Sequence, residues 1–404
     1  NFTRFRKIHV LLCTLKFFLP LEITLVVHAI QTFLVLIIMT NLKDIINLSE
    51  ITGDVVAVGV SGGADSLALL LLMDELLRPL GRRVAALTVD HGLRKESRAE
   101  AEYVAGVAAA RGIEHHILTW QGDKPRSGVE EAARTARYAL LCSWCHEHGV
   151  ETLCMAHHQQ DQAETFLIRL QRGSGLTGLC GMAAVSRLNG LKIVRPLLEV
   201  PAERLKQYLH MQKVQWVDDP SNQSDDFLRC RVRKLLPLME EMAGITTGRI
   251  AGTMRVLSRS RDYICRQTEI FIQNNVLYWE GAGVSLGLRG LREEHEEIVY
   301  QVLRQLIKEI GQRPYTPRAE DVERLMRRLL SPAVGEAFRG ATLGNCEIFT
   351  SKGKVWIIPE LKLKRRMPRN VWADFIRIFP EYARQELPYK LRVALVKNKM
   401  PIEF

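Results

Sequence analysis

Short apolar runs alternate with segments of helical periodicity over the first half of the chain. In those segments apolar residues recur every three or four positions, which is typical of a helix packed along one side. The runs predict strands over Asp54–Val60, Val84–Val89, His116–Leu118, Glu151–Ala156 and Lys192–Val194. The periodic segments predict helices over Ser66–Leu77, Ser97–Arg111, Glu130–Glu147, Gln160–Gln171 and Ala202–Met211. Strands separated by helices favour an α/β fold with a doubly wound parallel sheet, in which ligands bind at the carboxyl ends of the strands.

The pattern changes after about residue 211. A turn-rich stretch, Asp218–Ser224, precedes a basic run that ends at Pro237, and residues 238–330 have a mostly helical, strongly charged pattern. Two apolar runs, Cys346–Thr350 and Val355–Ile358, flank a glycine-containing turn and predict a β-hairpin. We therefore expect an α/β domain over 39–237, a helical domain over 238–330, and a small β-containing segment with a basic tail over 331–404.

The N-terminal segment contains a run without charged residues, Ile23–Leu42. Its length could just span a bilayer, but polar residues dilute it and Pro20 interrupts its approach. The chain begins at Asn1, and Met39 leads directly into the first predicted strand. We expect residues 1–38 to be upstream translated sequence and the protein to be cytoplasmic. Anchoring to a membrane through residues 17–40 is the alternative.

The chain of 404 residues has 56 Lys and Arg against 45 Asp and Glu, which gives a formal net charge of +11. Such an excess favours a polyanionic partner, and nucleic acid is the leading candidate. The cysteines follow no regular spacing, so a disulfide framework is not indicated. Cys142 and Cys145 form a C-x-x-C pair on a predicted helix, without a second pair at zinc spacing.

A glycine loop stands between the first predicted strand and the first predicted helix. Its sequence is Ser61-Gly62-Gly63-Ala64-Asp65-Ser66. A strand, a glycine turn and a helix in this order direct backbone N–H groups and a positive helix end toward an anion. The glycines permit a tight turn and a close approach of the ligand. The loop lacks the G-x-x-x-x-G-K-[ST] pattern of P-loop NTPases, so an enzyme of that type is not indicated.

A second polar cluster follows the fourth predicted strand and contains His157, His158, Asp161 and Glu164. The two carboxylates are three residues apart and therefore share one helix face. A carboxylate beside the glycine loop could hold Mg²⁺ on nucleotide phosphates, or a cationic amine. The H-E-x-x-H zinc pattern is absent. Capping and packing by the two histidines is the structural alternative.

Further side chains are expected near the same edge of the sheet, where Asp90 and His91 follow the second predicted strand. Arg134 and Arg137 could contact phosphates or pair with glutamates of their own helix. A basic group could contact an RNA backbone or form salt bridges at a domain junction; it consists of Arg229, Arg231, Arg233 and Lys234. The glycine-rich segment Arg172–Met182 predicts either a mobile loop over the site or a plain connector.

Together these motifs resemble the tRNA(Ile)-lysidine synthetase family of the PP-loop ATP pyrophosphatase superfamily. They occur in the order Ser61–Ser66, Val89–Arg94, Ala133-Arg134 with Arg137-Tyr138, His157-His158 with Asp161 and Glu164-Thr165, Arg172–Leu176, Arg195–Leu198, Trp216-Val217 and Asp219–Asn222. The resemblance implies a ligase that uses ATP to join L-lysine to C2 of the wobble cytidine of a tRNA(Ile) with a CAU anticodon. It implies an adenylated cytidine as intermediate, and lysidine, AMP and pyrophosphate as products.

The resemblance also implies roles for individual residues. ATP is expected to contact Ser61, Gly62, Gly63, Ala64, Asp65, Ser66, Asp90 and His91. Asp65 and Asp161 are expected to be catalytic, with Asp65 near Mg²⁺ and Asp161 at the lysine or metal site. The lysine and tRNA side is expected to include His158, Arg134, Arg137, Asn222 and Arg233.

The same resemblance leaves several points open. Domain 238–330 is expected to bind tRNA, and a homodimer is left open. Two positions depart from the family pattern: Gln160 stands where an aspartate is common, and Cys230 where an asparagine is frequent. The first departure puts a metal site with two carboxylates in doubt.

Two other functions remain open from the sequence. One is a tRNA 2-thiolation enzyme of the same superfamily that uses Cys142 and Cys145 for a cluster or a sulfur relay. The other is a nucleotide- and tRNA-binding protein without catalysis, which would bind ATP but release no pyrophosphate.

Overall fold

The structure is a computed structural model of the chain. It describes residues 42–93, 96–122, 124–125, 127–217, 228–313, 315–331, 338, 340–361, 367, 369–383 and 385–400. Two compact units comprise residues 1–258 and 259–404. The extension 1–38 lies outside the described residues, as does the whole of the run 17–40. Among the helices of the described residues, none combines the length and the apolar character that crossing a bilayer requires.

The first unit is built around a sheet. Its strands are β1 (Val55–Gly59), β2 (Arg83–Asp90), β3 (Glu114–Thr119), β4 (Thr152–Cys154), β5 (Val185–Leu188) and β6 (Leu191–Val194). They form one six-stranded sheet in the order β3-β2-β1-β4-β6-β5. Neighbouring strands are parallel, except that β5 is antiparallel to β6. The helices are α1 (Ala64–Leu77), α2 (Ser97–Ala109), α3 (Val129–Glu147), α4 (Gln159–Gln171), α5 (Leu176–Leu179), α6 (Ala202–Met211), α7 (Leu228–Ala243) and α8 (Thr247–Asn275), which continues into the second unit.

Helices cover both faces of this sheet because its strands are apolar on both sides. Along β1, Val56 and Val58 belong to one core while Ala57 between them belongs to another. The first core contains nearly the whole of α1, whose residues from Leu67 to Met73 are completely buried. The second core is covered by α3, which contributes the buried Leu141. This layered packing holds the carboxyl ends of the strands in a fixed arrangement.

The structure confirms the predicted fold class, and α6 begins and ends where the pattern predicts. The pattern does not predict β5, because this strand has four residues and is half exposed. Its signal is the pair Asn189-Gly190, which joins β5 to β6 with φ values of +49° and +84°. Positive φ at both positions is the mark of a two-residue hairpin turn, and Asn-Gly favours it.

Helix α7 continues through Pro237, the residue at which we expected the first domain to end. A proline inside a helix removes one backbone hydrogen bond. The helix persists here because Leu236 packs with Ala163, Ile250 and Met254 on its inner side. The domain limits inferred from the sequence remain predictions.

The second unit combines helices with an antiparallel sheet. Its strands are β7 (Val276–Trp279), β8 (Gly283–Gly287), β9 (Ala341–Leu343), β10 (Cys346–Ser351) and β11 (Lys354–Pro359), in the order β7-β8-β11-β10-β9. Its helices are α9 (Leu288–Glu293), α10 (Glu296–Ile310), α11 (Ala319–Leu330), α12 (Arg369–Ile378) and α13 (Tyr389–Lys399). The predicted hairpin is confirmed as β10 and β11. The strands β7 and β8 lie in the range 238–330, which we expected to be mostly helical. The sequence pattern did not predict them, because strands of four or five residues carry little periodicity.

Candidate active site

The glycine loop lies at the carboxyl end of β1 and leads into α1, as the sequence predicts. Gly62 has a φ of +86°, which residues with a Cβ rarely adopt. Ser66 closes the loop: its Oγ accepts a hydrogen bond from Ser61 N at 3.0 Å and donates one to Gly63 O at 3.0 Å. No side chain among the described residues caps the start of α1. Its first N–H groups therefore offer hydrogen bonds to an anion.

A segment after α6 supports this loop from behind. Val217 N donates to Gly62 O at 3.0 Å, and the hydroxyl of Tyr103 on α2 donates to Gln215 O at 2.7 Å. The carbonyl and N–H of one trans peptide point in opposite directions. Fixing the Gly62 carbonyl therefore also fixes the direction of the Gly63 N–H. Contacts from far along the chain thus set the geometry of the loop.

Asp65 of the loop faces the start of α4. His158 Nε2 lies 3.3 Å from Asp65 Oδ2 and 3.5 Å from Asp161 Oδ2. His158 Nδ1 accepts a hydrogen bond from Gln160 N at 3.2 Å, so Nε2 carries the proton that faces both carboxylates. Asp161 Oδ2 accepts from His158 N at 3.0 Å, which completes a capping box. His158 therefore caps the helix, as the structural alternative proposed, and also contacts the acidic group of the loop.

The opposite charges of His158, Asp161 and their neighbours stabilise one another's charged forms. Burial by itself would lower the pKa of His158, but the hydrogen bond to Asp65 and the nearby carboxylates outweigh burial, and the pKa is raised. Burial would likewise raise the pKa of Asp161, but His158 and Arg229 outweigh it, and the pKa is lowered. The side chain of Asp65 is 37% exposed and that of Asp161 is 15% exposed. Asp65 is thus the carboxylate with room for a ligand.

Glu164 is fully buried and is held by two arginines of α7. Arg229 Nε donates to Glu164 Oε2 and Arg233 Nε donates to Glu164 Oε1, each at 2.7 Å. Arg229 Nη2 also donates to Asp161 Oδ1 at 3.1 Å. The hydrogen bond to Glu164 raises the pKa of Arg233 against the effect of its burial. Charge-assisted hydrogen bonds therefore join α7 to α4.

This geometry changes what we expect of Arg233 and Asp161. We expected Arg233 on the lysine and tRNA side, but its Nε and Nη2 both donate to Glu164. The salt-bridged alternative therefore describes Arg229 and Arg233. Both oxygens of Asp161 accept hydrogen bonds, so its charge reaches the site mainly through His158 and Arg229.

Asp90 and His91 reach the same edge of the sheet and make different contacts. Asp90 Oδ1 accepts hydrogen bonds from Ser97 Oγ and from Gly92 N, and the bond from Ser97 lowers the pKa of Asp90. Asp90 therefore shapes the turn that leads to α2. His91 Nε2 accepts from Arg137 Nε at 3.4 Å. Burial and the charge of Arg137 lower the pKa of His91 to about 4, so this imidazole is neutral at pH 7.

The structure also brings His157 and Arg195 to this edge; the sequence placed both in motifs, but assigned neither of them a ligand. Each has a buried nitrogen, His157 Nδ1 and Arg195 Nε, without a hydrogen-bond partner among the described residues. Burial lowers the pKa of His157 to about 4. Their signals in the sequence were these motifs and their position directly after a predicted strand.

The remaining predicted features lie elsewhere. Asn222 lies outside the described residues. The glycine-rich segment contains α5 and is tied to α4, because Arg169 Nη1 donates to Gly178 O at 2.6 Å and to Gly181 O at 2.9 Å. Across the described ranges, no three His, Cys, Asp or Glu side chains are grouped to hold a metal ion. A cavity of about 510 Å³ lies at the opposite, amino edge of the sheet, beside Thr52 and Lys192.

The C-x-x-C pair lies in the core of the first unit. Cys142 and Cys145 lie on α3 and are both buried in the core that this helix covers, and burial raises the pKa of Cys145 to about 12. A thiol that is buried and protonated is a poor nucleophile. The geometry therefore disfavours the sulfur relay that the pair suggested.

The contacts of His158 predict a pH-dependent stability. Because folding raises the pKa of His158, its contribution is complete below about pH 6.5 and is lost as the pH rises through the raised value. We expect His158→Asn, which can still cap α4, to lower the urea midpoint more at about pH 6 than at about pH 9. His295→Asn is the matched control, because His295 caps α10 by accepting from Glu297 N. Equal losses at both pH values in His158→Asn would contradict the prediction.

Comparisons with known proteins give the family of the chain. The sequence model of a family described as a PP-loop domain matches residues 36–239. The chain is 34% identical over 325 residues to a tRNA(Ile)-lysidine synthase of Wolbachia pipientis wMel, covering 79% of this chain and 73% of that one. It is 38% identical over 317 residues to a tRNA(Ile)-lysidine synthase of Hyphomonas neptunium, covering 76% and 81%. Among solved structures it is similar to the U34-tRNA thiolase NcsA of Methanococcus maripaludis, at 19% identity and a TM-score of 0.47, over 55% of this chain and 79% of that one.

Proposed function

The chain belongs to the tRNA(Ile)-lysidine synthase family, and we propose that it joins L-lysine to C2 of the wobble cytidine of a tRNA(Ile) with a CAU anticodon. It is a C–N ligase that uses ATP. The observation that carries the proposal is the contact between Asp65 of the glycine loop and His158 at the start of α4. This contact supports the proposal because it brings the free N–H groups at the start of α1 close to the acidic side chains at the start of α4.

The reaction has two steps. The cytosine C2 oxygen attacks the α-phosphorus of ATP, which forms an O–P bond and releases pyrophosphate. The lysine ε-amine then attacks C2, loses a proton, and expels AMP together with the former C2 oxygen. Adenylation converts a poor leaving oxygen into a good one. The work left to the protein is positioning and the neutralisation of charge.

The glycine loop supplies the ATP contacts in this proposal. The N–H groups at the start of α1 would bind phosphate oxygens, with Ser66 and Val217 holding the loop in shape. Mg²⁺ is commonly held by one or two carboxylates together with phosphate oxygens. The partly exposed Asp65 fits that requirement as a single carboxylate, because Gln160 provides no second one. A bound Mg²⁺ would neutralise charge on the phosphates.

The acidic side of the site would receive lysine. The exposed carboxylate of Asp65 would attract an ammonium group, with Asp161 acting behind it through His158, and a carboxylate near the amine would orient it as it loses its proton. The positive net charge of the chain supports binding of tRNA. Homodimer formation and a cytoplasmic location remain predictions.

Incorporation of labelled lysine tests this function. We expect the protein to label a tRNA(Ile) transcript with a CAU anticodon only when ATP is present, and not to label a tRNA(Met) transcript. The full chain and a version that starts at Met39 should be equally active, because every residue assigned to the site lies at or after Ser61. Absence of label with wild-type protein that binds both ATP and the tRNA would contradict the proposal and favour a non-catalytic binding protein.

A further inference from the structure

We infer that Arg134, Arg137 and Arg195 form a seat for a phosphate group at the carboxyl edge of the sheet. These three residues are called the arginine seat below. The inference rests on the proposed function, because the substrates of that reaction supply the phosphate. The inference assigns a ligand contact to Arg195. It gives the arginine seat a different role from Arg229 and Arg233, which form salt bridges with Glu164 within the protein.

Arg195 shows the most direct sign of a missing partner. It follows β6 immediately, and its Nη1 donates to Ala183 O at 2.9 Å and to Ser186 Oγ at 3.0 Å. These two bonds fix the plane of the guanidinium. Its Nε is buried and has no hydrogen-bond partner among the described residues. A buried donor without an acceptor is rare in folded proteins, so an acceptor on a ligand is expected there.

Tyr138 on α3 brings the seat together. The guanidinium of Arg134 lies over the Tyr138 ring, 5.3 Å from its centre, and Tyr138 also acts electrostatically on Arg195. Arg137 precedes Tyr138 in the chain and donates from Nε to His91 Nε2 at 3.4 Å. Arg134 is exposed while the other two are partly buried. The seat is therefore open on one side.

No described carboxylate neutralises the arginine seat. The charged or titratable neighbours that act on both Arg137 and Arg195 are Tyr138 and Arg134, and burial lowers the pKa of both guanidinium groups. The contrast with α7 is sharp, because Arg229 and Arg233 donate to buried Glu164. A partly buried cation without a counter-ion is costly. Binding an anion would remove that cost.

The neighbouring histidines add no charge to the seat. Burial lowers the pKa of His91 to about 4, with Arg137 adding to the effect. Burial also lowers the pKa of His157 to about 4, with Asp161 opposing and Arg195 and Arg134 adding to the shift. Both imidazoles are therefore neutral at pH 7. The guanidinium groups carry the positive charge, and their planar forks match the oxygens of a phosphate.

Two sources can supply this phosphate: ATP and the backbone of the tRNA. The test uses Arg195→Gln and Arg134→Gln, with Arg255→Gln as the matched control, because Arg255 is exposed and paired with Glu199. The probes are α,β-methylene ATP and an anticodon stem–loop RNA of the isoleucine tRNA, titrated separately. We expect both seat variants to weaken the same probe by about tenfold and to leave the other within about twofold. The weakened probe identifies the source.

Other outcomes overturn the inference. These are unchanged binding of both probes, equal weakening of both probes, or a change confined to the KM for lysine, which would indicate a carboxylate instead. If Arg195→Gln does not fold, Arg134→Gln decides by the same criteria, because its side chain is exposed. The titrations require no turnover. If wild-type protein binds both probes but incorporates no lysine, the proposed function is wrong. The titrations of the two seat variants still test the arginine seat in that case.

Discussion

Replacing Asp65 by asparagine will reduce lysine incorporation into tRNA(Ile) by about a thousandfold. Asp65 is the more exposed carboxylate of the site and lies 3.3 Å from His158 Nε2. Asparagine keeps the shape of the side chain but removes the charge that would hold Mg²⁺ against the phosphates. Single-turnover incorporation of labelled lysine measures the effect. Release of pyrophosphate in the same reaction shows whether adenylation is the step that is lost.

Asp74→Asn provides the control for this experiment. Asp74 lies on the same helix as Asp65 and pairs with Arg78, away from the glycine loop. We expect Asp74→Asn to be as active as the wild type. Activity within about tenfold of the wild type in Asp65→Asn would be too high for a residue that holds charge against the phosphates, and would remove Asp65 from the catalytic site.

Replacing Glu164 by glutamine will destabilise the first unit by about 1.5 to 3 kcal/mol. The carboxylate is fully buried, and the substitution leaves Arg229 and Arg233 without their shared counter-ion. The loss stays below that of a fully buried ion pair, because the two guanidinium groups that remain are 40% and 36% exposed and water stabilises them in part. Urea unfolding measures the loss, and hydrogen exchange of α4 and α7 locates it.

Two further variants separate charge from packing. Glu199→Gln removes an exposed carboxylate that pairs with Arg255, and we expect it to cost at most about 1 kcal/mol. The triple variant Glu164→Leu, Arg229→Met, Arg233→Met removes all three charges and should recover much of the lost stability. Stability of Glu164→Gln equal to the wild type would contradict the assigned role of Glu164.

The sequence predicts the parts of this protein that repeat a strong pattern. Apart from α5 and β5, the strands and helices from residue 54 to residue 211 follow from periodicity, and the glycine loop follows from its position after β1. The opposition of Asp65 and His158 follows from topology, because β1 and β4 are adjacent parallel strands that end at one edge. These features depend on residues close together in the chain, or on a rule about parallel sheets.

Other features depend on contacts that no local pattern encodes. The pairing of Glu164 with Arg229 and Arg233 requires knowing that α7 packs on α4. A run of basic residues looks the same whether its side chains meet RNA or a buried glutamate. The absence of a counter-ion at Arg195 is visible only when its neighbours are known. Short strands such as β5 and β7 are not predicted for a different reason, since four residues give too little periodicity to detect.

The hydrogen bond from Val217 to Gly62 sets a lower limit on the smallest functional fragment. A fragment that stopped at the end of α6 would contain every residue of the phosphate loop but would leave the Gly62 carbonyl without its donor. A fragment that stopped at residue 217 would restore that bond and still expose Glu164 without its arginines. Dissection of this enzyme into independently folding pieces must therefore cut beyond residue 233, even though the recognisable loop ends at residue 66.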